Sequence, residues 1–230
     1  SVSAAAQPFV AQTVGDTNQF LHPTPMSTLR TVATQAQVGN LYGLAWHRDT
    51  RTLFSAAHGR SNYITNGGIG PSGLGAIYMT KNGTTSLFTT VTDVGTFGNA
   101  EGNKVGTVGL GDLEVSEDGT ILYTVNVFTS QLVKIPINGS TPTAGSATTV
   151  NLPVPADCPA ANTHGFALGQ NEGKIYVGLT CDGIGAANLI GYVYEYNGAT
   201  FTQKIRQTFD YARPNQNANY FGYSGFADYQ

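Results

Sequence analysis

The chain is 230 residues long, carries a net charge of −3, and only 11% of its residues are charged, less than half the usual share. Its 11 Lys and Arg are scattered, which leaves no basic footprint for nucleic acid, and no apolar run approaches the length of a membrane-crossing helix. The 29 glycines, together with plentiful Thr, Asn and Val, suit one good-sized domain of strands joined by tight turns.

Residues 1–40 read as an N-terminal segment. Its opening "SVSAAAQ" has small residues but no charged or apolar region of a signal peptide. "FVAQTV" (9–14) and "TLRTVATQAQV" (28–38) are expected as strands that close or flank a blade. Beyond them the chain is punctuated by Gly, Asn or Asp at short intervals, and three segments align without gaps. They are "YGLAWHRDTRTLFSAA" from Tyr42, "GDLEVSEDGTILYTVN" from Gly111 and "HGFALGQNEGKIYVGL" from His164. Phe54, Tyr123 and Tyr176 then coincide, as do Leu44, Leu113 and Phe166. Each segment reads as strand, turn, strand, and Asp118-Gly119 and Glu172-Gly173 place glycine where a hairpin needs positive φ.

Two further strand-like runs follow each pair: "GAIYMT" and "SLFTTV", "QLVKIPI" and "TTVNLPV", "LIGYVYEYN" and "FTQKIRQTFDY". Four strands per unit predicts an all-β fold of the β-propeller type, with blades at about 41–92, 108–154 and 163–211. Residues 214–230 are an aromatic connector, or the start of a further blade. Gly225-Phe226-Ala227 repeats the triplet of Gly43-Leu44-Ala45 and Gly165-Phe166-Ala167. Propellers usually close with four to eight blades. The expected partners are therefore the remainder of a longer chain or other protein subunits, including a homo-oligomer, with no nucleic acid and no membrane span.

Three stretches carry a family resemblance. "QVGNLYGLAWHRDTRTLFSAAHGR…GIGPSGLGAIYM", "TVGLGDLEVSEDGTILYTVNVFTSQLVKIPI" and "CPAANTHGFALGQNEGKIYVGLTCDG…LIGYVYEYNGATF…FDYAR" resemble secreted bacterial β-propeller surface proteins of the type associated with SdrD B-like modules. The resemblance spans roughly residues 37–213 in unbroken order. It implies fold and secretion more than activity. Where that family commonly has a Lys-Arg-His cluster, this chain has "HGRSNYITNGG".

Few motifs carry chemistry. "GIGPSG" (68–73) fits a dinucleotide fingerprint literally, but it precedes a strand and contains Pro71, so it reads as a loop. "HRD" (47–49) falls in a hairpin turn and lacks any kinase context. Cys158 and Cys181 are the only cysteines, and an even count in a low-charge chain favours one disulfide in an oxidising, extracellular compartment. Asp112 opens the second block near the expected channel mouth. A carboxylate there serves as a Ca²⁺ ligand or an acid–base group, or it is satisfied by backbone N–H groups. His58, Arg60 and His164 lie near blade junctions as further ligand candidates. No nucleophile elbow is present, so no catalytic residue and no cofactor beyond Ca²⁺ is assigned. The residues point to a non-enzymatic, secreted or cell-surface module for adhesion, scaffolding or assembly. The alternatives are a metal-dependent propeller hydrolase of lactonase or phosphoesterase type, and a subunit of an extracellular filament or surface layer.

Overall fold

A computed structural model describes residues 31–59, 69–97, 106–182 and 189–209. The strands form three antiparallel sheets in simple meander order. The first contains β1 (Leu41–His47), β2 (Thr52–Ala57), β3 (Ala76–Lys81) and β4 (Thr84–Thr90). The second contains β5 (Leu110–Val115), β6 (Ile121–Asn126) and β7 (Gln131–Asn138). Its outer strand is broken into β8 (Thr143–Ala144) and β9 (Thr148–Asn151), which both pair with β7. The third contains β10 (Thr163–Asn171), β11 (Lys174–Cys181), β12 (Ile190–Tyr196) and β13 (Phe201–Thr208).

The sheets stack through their first strands, with β1 against β5 and β5 against β10. This is the arrangement of consecutive propeller blades with the first strand innermost. Period-two alternation sends one side chain of each neighbouring pair to either side of a blade. Ala45, Phe54 and Ile77 meet Leu113, Leu122 and Ile135 between the first two sheets. Tyr123, Val125 and Leu132 meet Val177, Leu179 and Tyr194 between the second and third.

Each inner strand carries a bulge opposite its neighbour, between Leu41 and Leu44, between Leu110 and Leu113, and between Gly165 and Ala167. At the bulges, backbones of adjacent blades nearly touch. A Cβ on Gly43 would sit 2.7 Å from the Leu113 nitrogen, and one on Gly111 would sit 2.5 Å from the Phe166 carbonyl oxygen. Glycine is required at both points by this approach.

The register corrects the gap-free repeat alignment in the third block. Leu44 pairs with Ser55, Leu113 with Thr124, and Leu168 with Val177. Leu168, not Phe166, is therefore the third equivalent of Leu44 and Leu113, whereas Phe54, Tyr123 and Tyr176 remain equivalent. The cause is the turn. His47 pairs with Thr52 across a four-residue turn, and Asn171 pairs with Lys174 across two residues, Glu172 and Gly173. Both turn residues have positive φ, 50° and 71°, as a tight two-residue hairpin demands. Gly165-Phe166-Ala167 is thus not the counterpart of Gly43-Leu44-Ala45, and Gly225-Phe226-Ala227 lies outside the described residues.

The strand expected over 28–38 is also corrected where it is described. Gln35–Val38 is a short helix, α1. The Gln37 side chain accepts the Thr34 N–H at 2.9 Å, and the Thr34 carbonyl accepts the Gln37 and Val38 N–H groups. This local turn competes with an extended backbone. Ala33 and Val38 pack with Ala57, Ala76 and Tyr78. The strand expected at 9–14 and the connector at 214–230 lie outside the described residues.

Cys158 and Cys181 form the expected disulfide. It ties the segment before β10 to the end of β11, and both residues are buried.

Candidate functional site

Asp112 lies in the bulge of β5, and Glu114 follows two residues later on the same side. That side faces the third sheet, since Glu114 pairs with Tyr123, which packs there. Asp112 Oδ1 accepts the Leu113 N–H at 2.9 Å, and Oδ2 accepts the Leu168 N–H of the neighbouring blade at 3.4 Å. The structure thus places this carboxylate as a brace between inner strands β5 and β10. Burial pushes the Asp112 carboxyl up, and the two backbone donors only partly offset it. Burial also pushes Glu114 up, with added repulsion from Asp112. Among the described residues no three His, Cys, Asp or Glu side chains gather as a metal site.

The other candidates separate. His58 sits in an aromatic group with Tyr42 and Phe166. The Tyr42 and Phe166 rings meet edge to face at 4.5 Å, and His58 lies 5.7 Å from Tyr42 and 5.9 Å from Phe166. This group joins the first blade to the third across the inner rim. His164 places its Nε2 3.2 Å from Asp182 Oδ1. Arg60 lies outside the described residues.

Two features had no sequence-level signal. His47, at the end of β1, is buried. Its Nδ1 accepts the Thr50 N–H at 3.2 Å, so Nε2 carries the proton that bonds the Gly119 carbonyl of the next blade at 2.8 Å. The "HRD" turn therefore contains a blade-to-blade clamp. An open groove of about 680 Å³ runs between the first two sheets, lined by Leu74, Val91, Asp93, Val94, Val108 and Phe128. The buried Asn126 side chain holds its wall by donating to the Thr92 and Asp93 carbonyls at 3.3 and 3.0 Å. Only the fold brings these separated segments together.

The described residues are an arc of three β-propeller blades, braced at the inner rim by a carboxylate, a histidine and an aromatic group. The chain matches no protein-family model. It is 29% identical over 217 residues to colossin-D of Dictyostelium discoideum, a match covering 85% of this chain and 22% of colossin-D. The chain thus spans about a fifth of that relative's length. Among solved structures, a Lactobacillus plantarum protein shows a TM-score of 0.40 at 16% identity, covering 74% of this chain and 42% of its own. A candidate 6-phosphogluconolactonase of Bacteroides uniformis gives 0.41 at 10% identity, over 81% of this chain and 45% of its own. The periplasmic gluconolactonase of Pseudomonas aeruginosa gives 0.41 at 14% identity, over 80% and 48%.

Proposed function

We propose that the chain is a non-enzymatic β-propeller module of the extracellular or cell-surface space, serving adhesion, scaffolding or assembly. The observation that carries this reading is the engagement of Asp112. Its two oxygens are held by the Leu113 and Leu168 N–H groups, so the acidic residue nearest the expected channel mouth fastens one blade to the next. The disulfide supports secretion into an oxidising compartment. Among the described residues no helix is long and apolar enough to cross a membrane.

A second reading, a lactonase-type propeller hydrolase, is favoured by the raised carboxyls of Asp112 and Glu114. Raised carboxyls of this kind are the groups an acid–base reaction recruits. Proton release during gluconolactone hydrolysis separates the two. The module reading expects the wild type and Asp112→Asn to match the uncatalysed rate. Turnover by the wild type that Asp112→Asn abolishes, while folding normally, overturns it.

A further inference from the structure

The sequence holds two Asn-x-Ser/Thr triplets, Asn82-Gly83-Thr84 and Asn138-Gly139-Ser140. This is the acceptor pattern for an Asn-linked oligosaccharide in a secreted protein. The fold puts both in turns that lead to a blade's outer strand. Asn82 and Gly83 join β3 to β4 with φ of 52° and 78°, the left-handed pair that a tight hairpin demands. Asn138 ends β7, and Gly139 turns the chain towards β8 with φ 76°. All six residues are exposed. The turn accounts for Asn-Gly but not for the hydroxyl that follows it. In the third blade Asn197-Gly198 makes the corresponding turn with Ala199 in third place, and its side chain is spent on the Ala199 and Thr200 N–H groups at 3.0 and 2.9 Å. The buried Asn40 and Asn126 are followed in third place by Tyr42 and Phe128. The acceptor pattern thus falls where an enzyme can reach it.

The two turns are neighbours. Lys81 Nζ donates to the Ser140 carbonyl at 2.7 Å, across the junction of the first two blades. Register sets the end they occupy. Leu53 pairs with Thr80 beside the His47–Thr52 pair, and the Ile137 N–H bonds the Thr120 carbonyl at 2.8 Å. Both turns therefore stand at the end of the blades that carries the His47–Gly119 clamp. Asp112 and the group of Tyr42, His58 and Phe166 lie at the opposite ends of their strands.

We infer that Asn82 and Asn138 each carry an Asn-linked oligosaccharide, so that sugar sheathes the clamp end of the first two blades and leaves the Asp112 end bare for contacts. The donor is an oligosaccharide on a lipid pyrophosphate. The Asn side-chain nitrogen bonds to the anomeric carbon, the bond from that carbon to the pyrophosphate oxygen breaks, the lipid pyrophosphate leaves, and the amide gives up one proton. The inference rests on the extracellular part of the reading above, which the buried disulfide supports.

Glycopeptide mapping by mass spectrometry, on the protein purified from the cells that make it, tests this. The peptides holding Asn82 and Asn138 are expected to carry hexose and N-acetylhexosamine. Peptide N-glycosidase is expected to strip the sugar and leave aspartate. Thr84→Ala and Ser140→Ala each remove one hydroxyl and keep the Asn-Gly turn, so each should lose one glycan, whereas Thr84→Ser should keep both. Either asparagine recovered wholly bare, or a glycan on Asn82 that survives Thr84→Ala, overturns the inference. A thiol titration separates it from the reading beneath it. Bare asparagines beside an intact disulfide refute the glycans alone, and bare asparagines with free thiols refute the extracellular reading as well.

Discussion

Replacing Gly43 with alanine places a methyl group where the first two blades are closest. The new Cβ would lie 2.7 Å from the Leu113 nitrogen, 2.8 Å from the Gly111 carbonyl oxygen and 2.9 Å from the Asp112 carbonyl carbon. All three are backbone atoms on a bulged strand, so no flexible side chain can swing away. The strand must shift, which disturbs the bond from Asp112 to Leu168 and the packing of Leu113. Overpacking of this kind costs about 1–3 kcal/mol, and rigid neighbours put Gly43→Ala at about 3. For a domain of this size that is a melting point lower by about 6–12 °C. Gly169→Ala is the control. Gly169 lies on inner strand β10, its Cβ meets nothing within 4 Å, and its φ is not positive. Removing glycine's freedom there raises stability by about 0.5 kcal/mol. Thermal unfolding followed by circular dichroism measures both. If Gly43→Ala melts within a degree of the wild type, or both variants lose equally, the close approach of the inner strands is refuted.

The disulfide spans 23 residues, and loop-closure entropy gives it about 3.5 kcal/mol. The double Cys158→Ser, Cys181→Ser variant should lose about that much in urea unfolding, and a thiol titration of the unfolded, unreduced wild type should find no free sulfhydryl. Burial raises the Glu114 carboxyl, so the folded chain holds that proton more tightly than the unfolded chain. The resulting stability is present in acid and is lost as pH rises through the raised value. Glu114→Gln should therefore be more stable than the wild type at pH 7, and the gain should vanish below about pH 4. Asp118 has the opposite sign. The Ser116 hydroxyl, then the Thr120 N–H and hydroxyl, hold its carboxyl low. Its contribution is present near neutral pH and fades as pH falls through the lowered value, so Asp118→Asn should be destabilising at pH 7 and neutral in strong acid.

The strands were legible because burial between blades gives short apolar runs bounded by turn residues, alternating in β11 and β12 and apolar on both faces in β2 and β6. "GAIYMT", "QLVKIPI" and "LIGYVYEYN" fall on β3, β7 and β12. Turn length was harder to read. Glu172-Gly173 closes a hairpin two residues shorter than the first hairpin of the first blade, and a shift of two preserves the alternation, so the sequence kept the faces while losing the register. The same shift made the Gly-Phe-Ala triplet at 165–167 look like the start of a repeat. The short helix at Gln35–Val38 escaped because one Thr34–Gln37 interaction decides it within a run of good strand formers. At the candidate site, Asp112 stood out as the acidic member of its set. Its partner Leu168 did not, because a backbone N–H has no sequence signature. His47 was hidden for a similar reason, since its acceptor is the carbonyl of Gly119 on another blade.

The disulfide also changes how the molecule answers a pull along its backbone. Tension applied at the two ends passes from Cys158 directly to Cys181 through the sulfur bridge, and the segment between them, a sequence separation of 23, carries no load. That span includes all of β10, the inner strand on which Leu168 and Phe166 meet the neighbouring blades. Until the bridge is reduced, the chain falls short of its full extended length by about 80 Å. The inner strand of the third blade is then the segment a stretching force reaches last.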